Sequence, residues 1–244
     1  MLHDPDKALA TRPNARLAAA IATISQSGWL AVTPPGFRDW ALAQLQWRAY
    51  AAGEGITHAG HEDGALYCVG DGQIHFVAGL GMDDIGTGYI GLPGIWWGHA
   101  PLLGGERVGS TVASTAMLCG ALPQSALRRR LAAHPEDWEQ MTRAMAGLFR
   151  HSAGAHADLL ISDSRRRVAA TILRLAGWRH RMHPMTPPAA IVCTQEQLAG
   201  SVALSRNTTG KILRDLEADG LVDARYGRLA VLDAARLRAL ANDG

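Results

Sequence analysis

The sequence predicts an α+β protein: an N-terminal antiparallel β-roll, one long helix, and a C-terminal winged helix-turn-helix. Three observations carry that prediction. From Arg48 to about Leu122, short apolar runs are punctuated by glycine. From Pro135 to Ile161, apolar residues step by three and four. From Thr194 to Val222, two helix-start signals flank a two-residue turn. The segments that follow are a helical extension (1–27), a β-roll sensor-like domain (28–134), a long helix with a hinge (135–163) and a winged-helix domain (164–244).

The chain has 244 residues, enough for two modest domains, and 48% of them are hydrophobic. No apolar run approaches the roughly 20 residues of a membrane span. The opening Met-Leu-His-Asp-Pro-Asp lacks the basic-then-apolar pattern of a secretory signal, so a cytoplasmic protein without membrane contact is expected. Cys68, Cys119 and Cys193 are scattered, which indicates neither a disulfide framework nor a zinc knuckle. Charge is uneven. From Ser164 to the end there are 13 Arg and Lys against 7 Asp and Glu, a net of +6, whereas the remainder has 11 against 15, a net of −4. A polyanion is therefore expected at the C-terminal domain.

In chain order, Pro13 to Ser25 reads as an amphipathic helix with Leu17, Ala20, Ile21 and Ile24 on one face. Gly28 to Gln46 is a second helical region, opened by Pro34-Pro35. Strands are expected at Tyr50–Glu54, Ile56–His61, Ala65–Val69 and Gly72–Val77. In the long helix, Trp138, Met141, Met145, Leu148, Ser152, Ala155 and Leu159 form a heptad stripe suited to a two-helix seam between copies of the chain. Asp163-Ser164 breaks that helix. Arg165-Arg166-Arg167 then opens another running to about Trp178, with the three arginines either on DNA phosphate or on a solvated face.

Thr194 and Gln197 have the spacing of a capping box, and Leu198, Ala199 and Val202 share one apolar face. Ala203-Leu204 is a tight turn. Ser205 caps a second helix, in which Ile212, Leu213 and Leu216 face inward until Gly220 ends it. That leaves Arg206, Asn207, Thr208, Lys211 and Arg214 on the open side. Arg can hold a guanine edge with two hydrogen bonds, Asn can hold adenine likewise, and Lys, Thr and Arg can hold phosphates. Leu221 to Leu232 reads as a basic hairpin around Tyr226-Gly227, with Arg225 and Arg228 beside the turn. A short closing helix over 233–241 is capped by Asp233.

At Thr194-Gln195-Glu196-Gln197-Leu198-Ala199, at Leu204 to Lys211 and at Leu216 to Leu221, the chain resembles the Crp/Fnr family of bacterial transcription regulators. The resemblance spans about residues 28 to 240. It implies a homodimer that binds a pseudo-palindromic operator in double-stranded DNA, with RNA polymerase as a further partner. It also implies DNA contacts from Thr194, Gln195 and Ser205 to Thr208, with Ser205 and Thr208 on phosphate and Arg206 on guanine. Lys211 and Arg214 would add contacts, and Tyr226 and Arg228 would touch backbone from the wing. Where the family often has Glu this chain has Asn207, and where it has Arg this chain has Lys211, so the operator is expected to differ.

The β-roll resembles the family's cyclic-nucleotide-binding fold. Relatives that bind cyclic AMP carry Gly-Glu and then Arg-Ser or Arg-Thr around the phosphate turn; here Gly98 is followed by His99 and a Pro101 that interrupts the short helix. With Thr111-Val112 as the anchor, the Arg position falls on Val108 and the next on Gly109, with Arg107 one residue out of register. Ser152 matches one of the family's hydroxyls to the base and Ala153 does not match the next. The candidate pocket is Trp97, His99, Arg107, Val108, Gly109, Ser110 and Ser152, and cyclic AMP is not its expected ligand; an unknown small-molecule effector or none is. His58, His61, His75, His99 and Cys68 lie in the roll, but the spacing His58-x-x-His61 is a weak metal or haem signal, and no metal or other cofactor is expected. No nucleophile, acid–base pair or phosphate loop stands out, so the chain does not read as an enzyme.

Overall fold

The structure, a computed structural model, describes residues 5–62, 64–78, 87–179, 183–225 and 227–242. Helix α1 (Pro5–Gln26) begins at Pro5 rather than Pro13 and buries Ala20 and Ile24 on the expected face. A 3-10 turn (Leu30–Val32) and α2 (Pro35–Gln44) follow, with Pro35 in the first helical turn, where a missing N–H costs no hydrogen bond.

Two antiparallel sheets make the roll. β1 (Gln46–Tyr50), β3 (Ala65–Asp71), β6 (Trp96–Trp97) and β8 (Met117–Pro123) are ordered β1-β8-β3-β6. β2 (Gly55–Thr57), β4 (Ile74–Ala78), β5 (Thr87–Gly91) and β7 (Gly109–Ala113) are ordered β2-β7-β4-β5. The strand expected at Tyr50–Glu54 instead ends at Tyr50. Glu54 turns the chain there, its backbone N–H donating to the Ala51 carbonyl while its carboxylate accepts from the Ala51 N–H. Strand alternation sorts the two faces of the first sheet. Leu66, Cys68, Trp96 and Leu122 pack under α1, α2 and α3 (Gln124–Ala133), whereas Val69, Trp97 and Cys119 face the interior of the roll.

A 3-10 turn (Pro135–Asp137) leads into α4 (Trp138–Leu159). Asp163 caps α5 (Ser164–Leu175), accepting from the Arg166 backbone N–H at 2.8 Å. Asp158, near the end of α4, and Arg174 on α5 form a 2.8 Å ion pair at 0% and 1% side-chain exposure. Arg165 pairs with Asp219, and Arg167 donates to the Ile161 carbonyl. Two of the three hinge arginines are thus tied within the chain.

The C-terminal domain holds β9 (Ile191–Val192), α6 (Gln195–Val202), α7 (Arg206–Ala218), β10 (Val222–Arg225), β11 (Arg228–Val231) and α8 (Ala234–Asn242), the last capped by Asp233. Its sheet is ordered β10-β11-β9. Ile90 and Leu92 of the roll belong to this domain's core, beside Val168, Ile191 and Leu198. Hydrogen bonds fasten the same junction. Gln73 accepts from the Val192 N–H at 2.8 Å and donates to the Ala190 carbonyl at 3.3 Å. His75 Nε2–H donates to the Val192 carbonyl at 3.2 Å, and Nδ1 accepts from the Gln197 amide at 2.8 Å. Burial lowers the His75 pKa, so the imidazole is neutral, as this donor–acceptor pairing requires.

Candidate nucleic-acid interface

The helix-turn-helix is set by side chains that satisfy its free backbone groups. The Thr194 hydroxyl accepts from the Gln197 backbone N–H at 3.1 Å, and the Gln197 side-chain amide oxygen accepts from the Thr194 N–H at 2.8 Å, completing the capping box. Ala203 then takes the left-handed conformation, φ 52° and ψ 46°, and is the one non-glycine residue to do so among the described residues. Ser205 accepts from the Thr208 N–H at 3.1 Å and shares a hydrogen bond with the Thr208 hydroxyl. Gly210 permits a close crossing: a Cβ there would stand 3.2 Å from the Gln195 amide oxygen.

Ile212, Leu213 and Leu216 are buried, which turns the opposite side of α7 to solvent. Thr194, Gln195, Ser205, Arg206, Asn207, Thr208, Lys211, Arg214 and Arg228 are all exposed. Tyr226 lies outside the described residues. The start of α6, the start of α7 and the hairpin converge on one groove of about 350 Å³, bordered by Thr194, Gln195, Arg206, Arg225 and Arg228, with Glu196 on its rim. Arg225 belongs with this set. Its side chain is 83% exposed and held beside Asp223 at 2.9 Å, and its place at the end of a basic hairpin strand was the available sequence signal.

A second concavity, of about 450 Å³, lies between the roll and α4. Trp97, His99, Arg107, Val108, Gly109 and Ser152 of the expected pocket border it, together with Ile74, Phe76, Leu148 and Ala155. Ser110 does not line it; its hydroxyl accepts from the Ala59 N–H. Pro101 does not interrupt the short helix either. It sits in the first turn of a 3-10 helix (Ala100–Leu103), where proline is tolerated. His99, just before that helix, is 6% exposed, and burial pushes its pKa down to about 4. The Arg107 guanidinium lies 5.3 Å over the Tyr67 ring and donates to the Ala65 carbonyl.

Residues 166–240 match the Crp-like helix-turn-helix domain family. The cyclic AMP receptor protein of Thermus thermophilus is 32% identical over 209 residues, which cover 83% of this chain and 91% of that one. The chain belongs to the Crp/Fnr family of transcription regulators. The cAMP-activated global transcriptional regulator CRP of Haemophilus influenzae is 27% identical over 206 residues, 81% of this chain and 88% of that one. A crystal structure of a CRP-family transcriptional regulator from Thermus thermophilus has the same fold, with a TM-score of 0.60 at 26% identity over 81% of this chain and 97% of that one.

Within this Crp/Fnr chain, the stripe read from α4 separates into two. Met141 faces its own domain and is buried in the cluster under α2 and α3, while Leu148 and Ala155 border the cavity. The outward stripe is Trp138, Met145, Phe149, Ser152 and Leu159, all five of them exposed. Phe149, at 76% exposure, was missed because two interleaved stripes one residue apart both fit a spacing of three and four. The roll histidines go to different places: the His58 and His61 rings are 5.5 Å apart at the surface side, His75 is in the domain junction, and His99 is at the cavity. Cys68, fully buried, has its thiol pKa raised by burial. Among the described residues no three His, Cys, Asp or Glu side chains are grouped to hold a metal ion, and no helix is long and apolar enough to cross a membrane.

Proposed function

We propose that this Crp/Fnr regulator works as a homodimer on a pseudo-palindromic operator, recruits or contacts RNA polymerase from there, and does not take cyclic AMP as its effector. One observation carries the DNA reading: Arg206 at the exposed start of α7 and Arg225 and Arg228 of the basic hairpin border the same groove. An α-helix can enter the major groove, and the chemistry of Arg206 suits a guanine edge, that of Asn207 adenine, and those of Lys211, Arg214 and Arg228 phosphates. The solvent-facing apolar stripe of α4 supports pairing with a second copy, which would space two recognition helices by about one DNA turn, roughly 34–36 Å. Against cyclic AMP stands His99 where cyclic-AMP-binding relatives carry the ribose-binding carboxylate.

The test is selection of duplexes from a random pool, followed by titration at several salt concentrations. Arg206→Ala is expected to cost about 1–3 kcal/mol and relax the preference at one base position. Lys211→Ala is expected to weaken binding evenly across sequences and reduce the salt slope by about 1. A pool that returns no preferred half-site, or an Arg206→Ala protein that binds the selected duplex as the parent does, overturns the reading. Calorimetry with cyclic AMP tests the effector statement separately.

A further inference from the structure

We infer that His75 is an acid-released latch between the β-roll and the DNA-binding domain: the neutral imidazole holds the glutamine that starts the helix-turn-helix, and a proton on the ring frees the domain and weakens operator binding. The last clause rests on the DNA reading above; the latch itself does not.

The latch closes an open sheet edge. β9 ends the sheet β10-β11-β9 and pairs with β11 on one side only, Val192 opposite Arg228 and Ile191 opposite Leu229. On its other side the Val192 N–H and carbonyl have no strand to bond, and an open edge is something a fold has to cover. Here the cover comes from the roll. The Gln73 side chain accepts from the Val192 N–H and donates to the Ala190 carbonyl, and His75 donates to the Val192 carbonyl. Gln73 and His75 are each 8% exposed, so two roll side chains stand where a neighbouring strand would.

A backbone group dictates the protonation state of His75. The Thr194 N–H can only donate, so it fixes the Gln197 amide with its oxygen toward the helix start and its nitrogen toward His75. His75 Nδ1, 2.8 Å from that nitrogen, therefore has to accept, and the one ring proton lies on Nε2 against the Val192 carbonyl. A second proton on Nδ1 would set two donors against each other. Turning the Gln197 amide over moves the conflict to Thr194 and breaks the capping box. Separating the ring from α6 relieves both.

Burial lowers the pKa of the latched ring, whereas the released ring has the ordinary value of 6.5. The released state therefore takes up the proton first: the latch is at full strength well above pH 6.5 and weakens as pH falls through it. Ile90 on β5 and Val112 on β7 stand opposite His75 in the sheet, and neither they nor Val192 and Gln197 ionise. Of the ionisable groups beside these four, Tyr89 and Cys193 are kept neutral by burial, the Cys193 thiol at about 12, while Glu196 and Arg228 are exposed.

Hydrogen–deuterium exchange of the full-length protein over residues 190–197, corrected for the intrinsic effect of pH, measures release at pH 7.5 and pH 5.5. In the parent, protection is expected to fall by up to about tenfold at the lower pH, the most that a group with a released pKa of 6.5 can supply over that interval. In His75→Gln, which has nothing to titrate at this position, it is expected to stay constant. Gln197→Glu keeps an oxygen for the Thr194 N–H and offers the other to a protonated Nδ1, so acid is expected to hold this latch closed. That inversion is one a merely structural contact would not show, and it carries the test if His75→Gln does not fold. Protection that falls alike in the parent and His75→Gln, or that falls in Gln197→Glu as in the parent, overturns the latch. Affinity for a selected duplex is read under the same conditions, and the parent is expected to lose up to about tenfold more than His75→Gln at pH 5.5. Loss of protection without that difference in affinity overturns the operator clause and leaves the latch; a random pool that returns no preferred duplex overturns the DNA reading and leaves the latch.

Discussion

His99 should make the protein acid-sensitive in a window set by its own burial. The unfolded chain carries an imidazole with an ordinary pKa of 6.5, and the folded chain lowers it to about 4 by desolvation. Protons then bind the unfolded state first. The sign follows: above pH 6.5 both states are neutral and stability is full, between 6.5 and about 4 it falls as pH falls, and below about 4 it levels off. Over the whole window the loss is about 3 kcal/mol, and between pH 7 and pH 5 about 2 kcal/mol. Urea unfolding followed by tryptophan fluorescence at both pH values, at one protein concentration, measures it. His99→Leu removes the titrating group, so the loss between pH 7 and pH 5 should shrink by about 2 kcal/mol relative to the parent. Burial also lowers the pKa values of His75 and His183, in the same direction, but they are present in both proteins and subtract out. A His99→Leu protein that loses as much stability as the parent would refute the burial argument.

Three further outcomes are expected. Arg174→Met takes the 2.8 Å ion partner from the buried Asp158 carboxylate, leaving Arg179 at 3.7 Å, and should cost about 3–5 kcal/mol in thermal or urea unfolding. The double change Asp158→Leu with Arg174→Met should recover most of it; a double variant as unstable as the single one would show that the pair is not the cause. Ala203→Gly should stabilise by roughly 0.5–1 kcal/mol, because relief of the left-handed alanine exceeds the entropy a glycine adds; a loss measured by the same unfolding assay would count against the geometry of the turn. Phe149→Glu places a charge on the outward stripe of α4 and should give a monomer in analytical ultracentrifugation, while circular dichroism stays that of the parent.

The C-terminal domain was legible in the sequence because its signals are local. A cap such as Thr194 or Ser205, an apolar repeat such as Ile212, Leu213 and Leu216, and a terminal Gly220 are each defined within a few residues, and the structure has α6 and α7 where those signals put them. The roll was less legible. Its strands are short and their partners distant: β1 pairs β8 in a register from Gln46 opposite Ala121 to Tyr50 opposite Met117, and nothing near Tyr50 announces where the strand ends. The candidate cavity was partly legible, since Trp97, His99 and Arg107 follow from the chain's resemblance to its family. Ile74 and Phe76 were not, because a wall residue on a strand reads like any other core residue until the sheet is folded.

The junction between the domains depends on the same alternation. On β4, Ile74 and Phe76 border the cavity, while His75, and Gln73 just before the strand, bond the other way, onto β9 and α6. On β5, Tyr89 borders the cavity and Ile90 enters the core of the C-terminal domain. Two neighbouring strands therefore have one face on the space where a ligand would sit and one face on the DNA-binding domain. The fastening is modest: each of the Gln73 and His75 hydrogen bonds contributes about 0.5–1.5 kcal/mol net. A ligand moves such an equilibrium only by its difference in affinity between two states, and a few kcal/mol of difference is within reach of a small molecule that fills an apolar cavity. Gln197 gives the junction its direction. Its amide oxygen caps the first turn of α6 while its amide nitrogen donates to His75, so the side chain that starts the helix-turn-helix is also the one the β-roll holds.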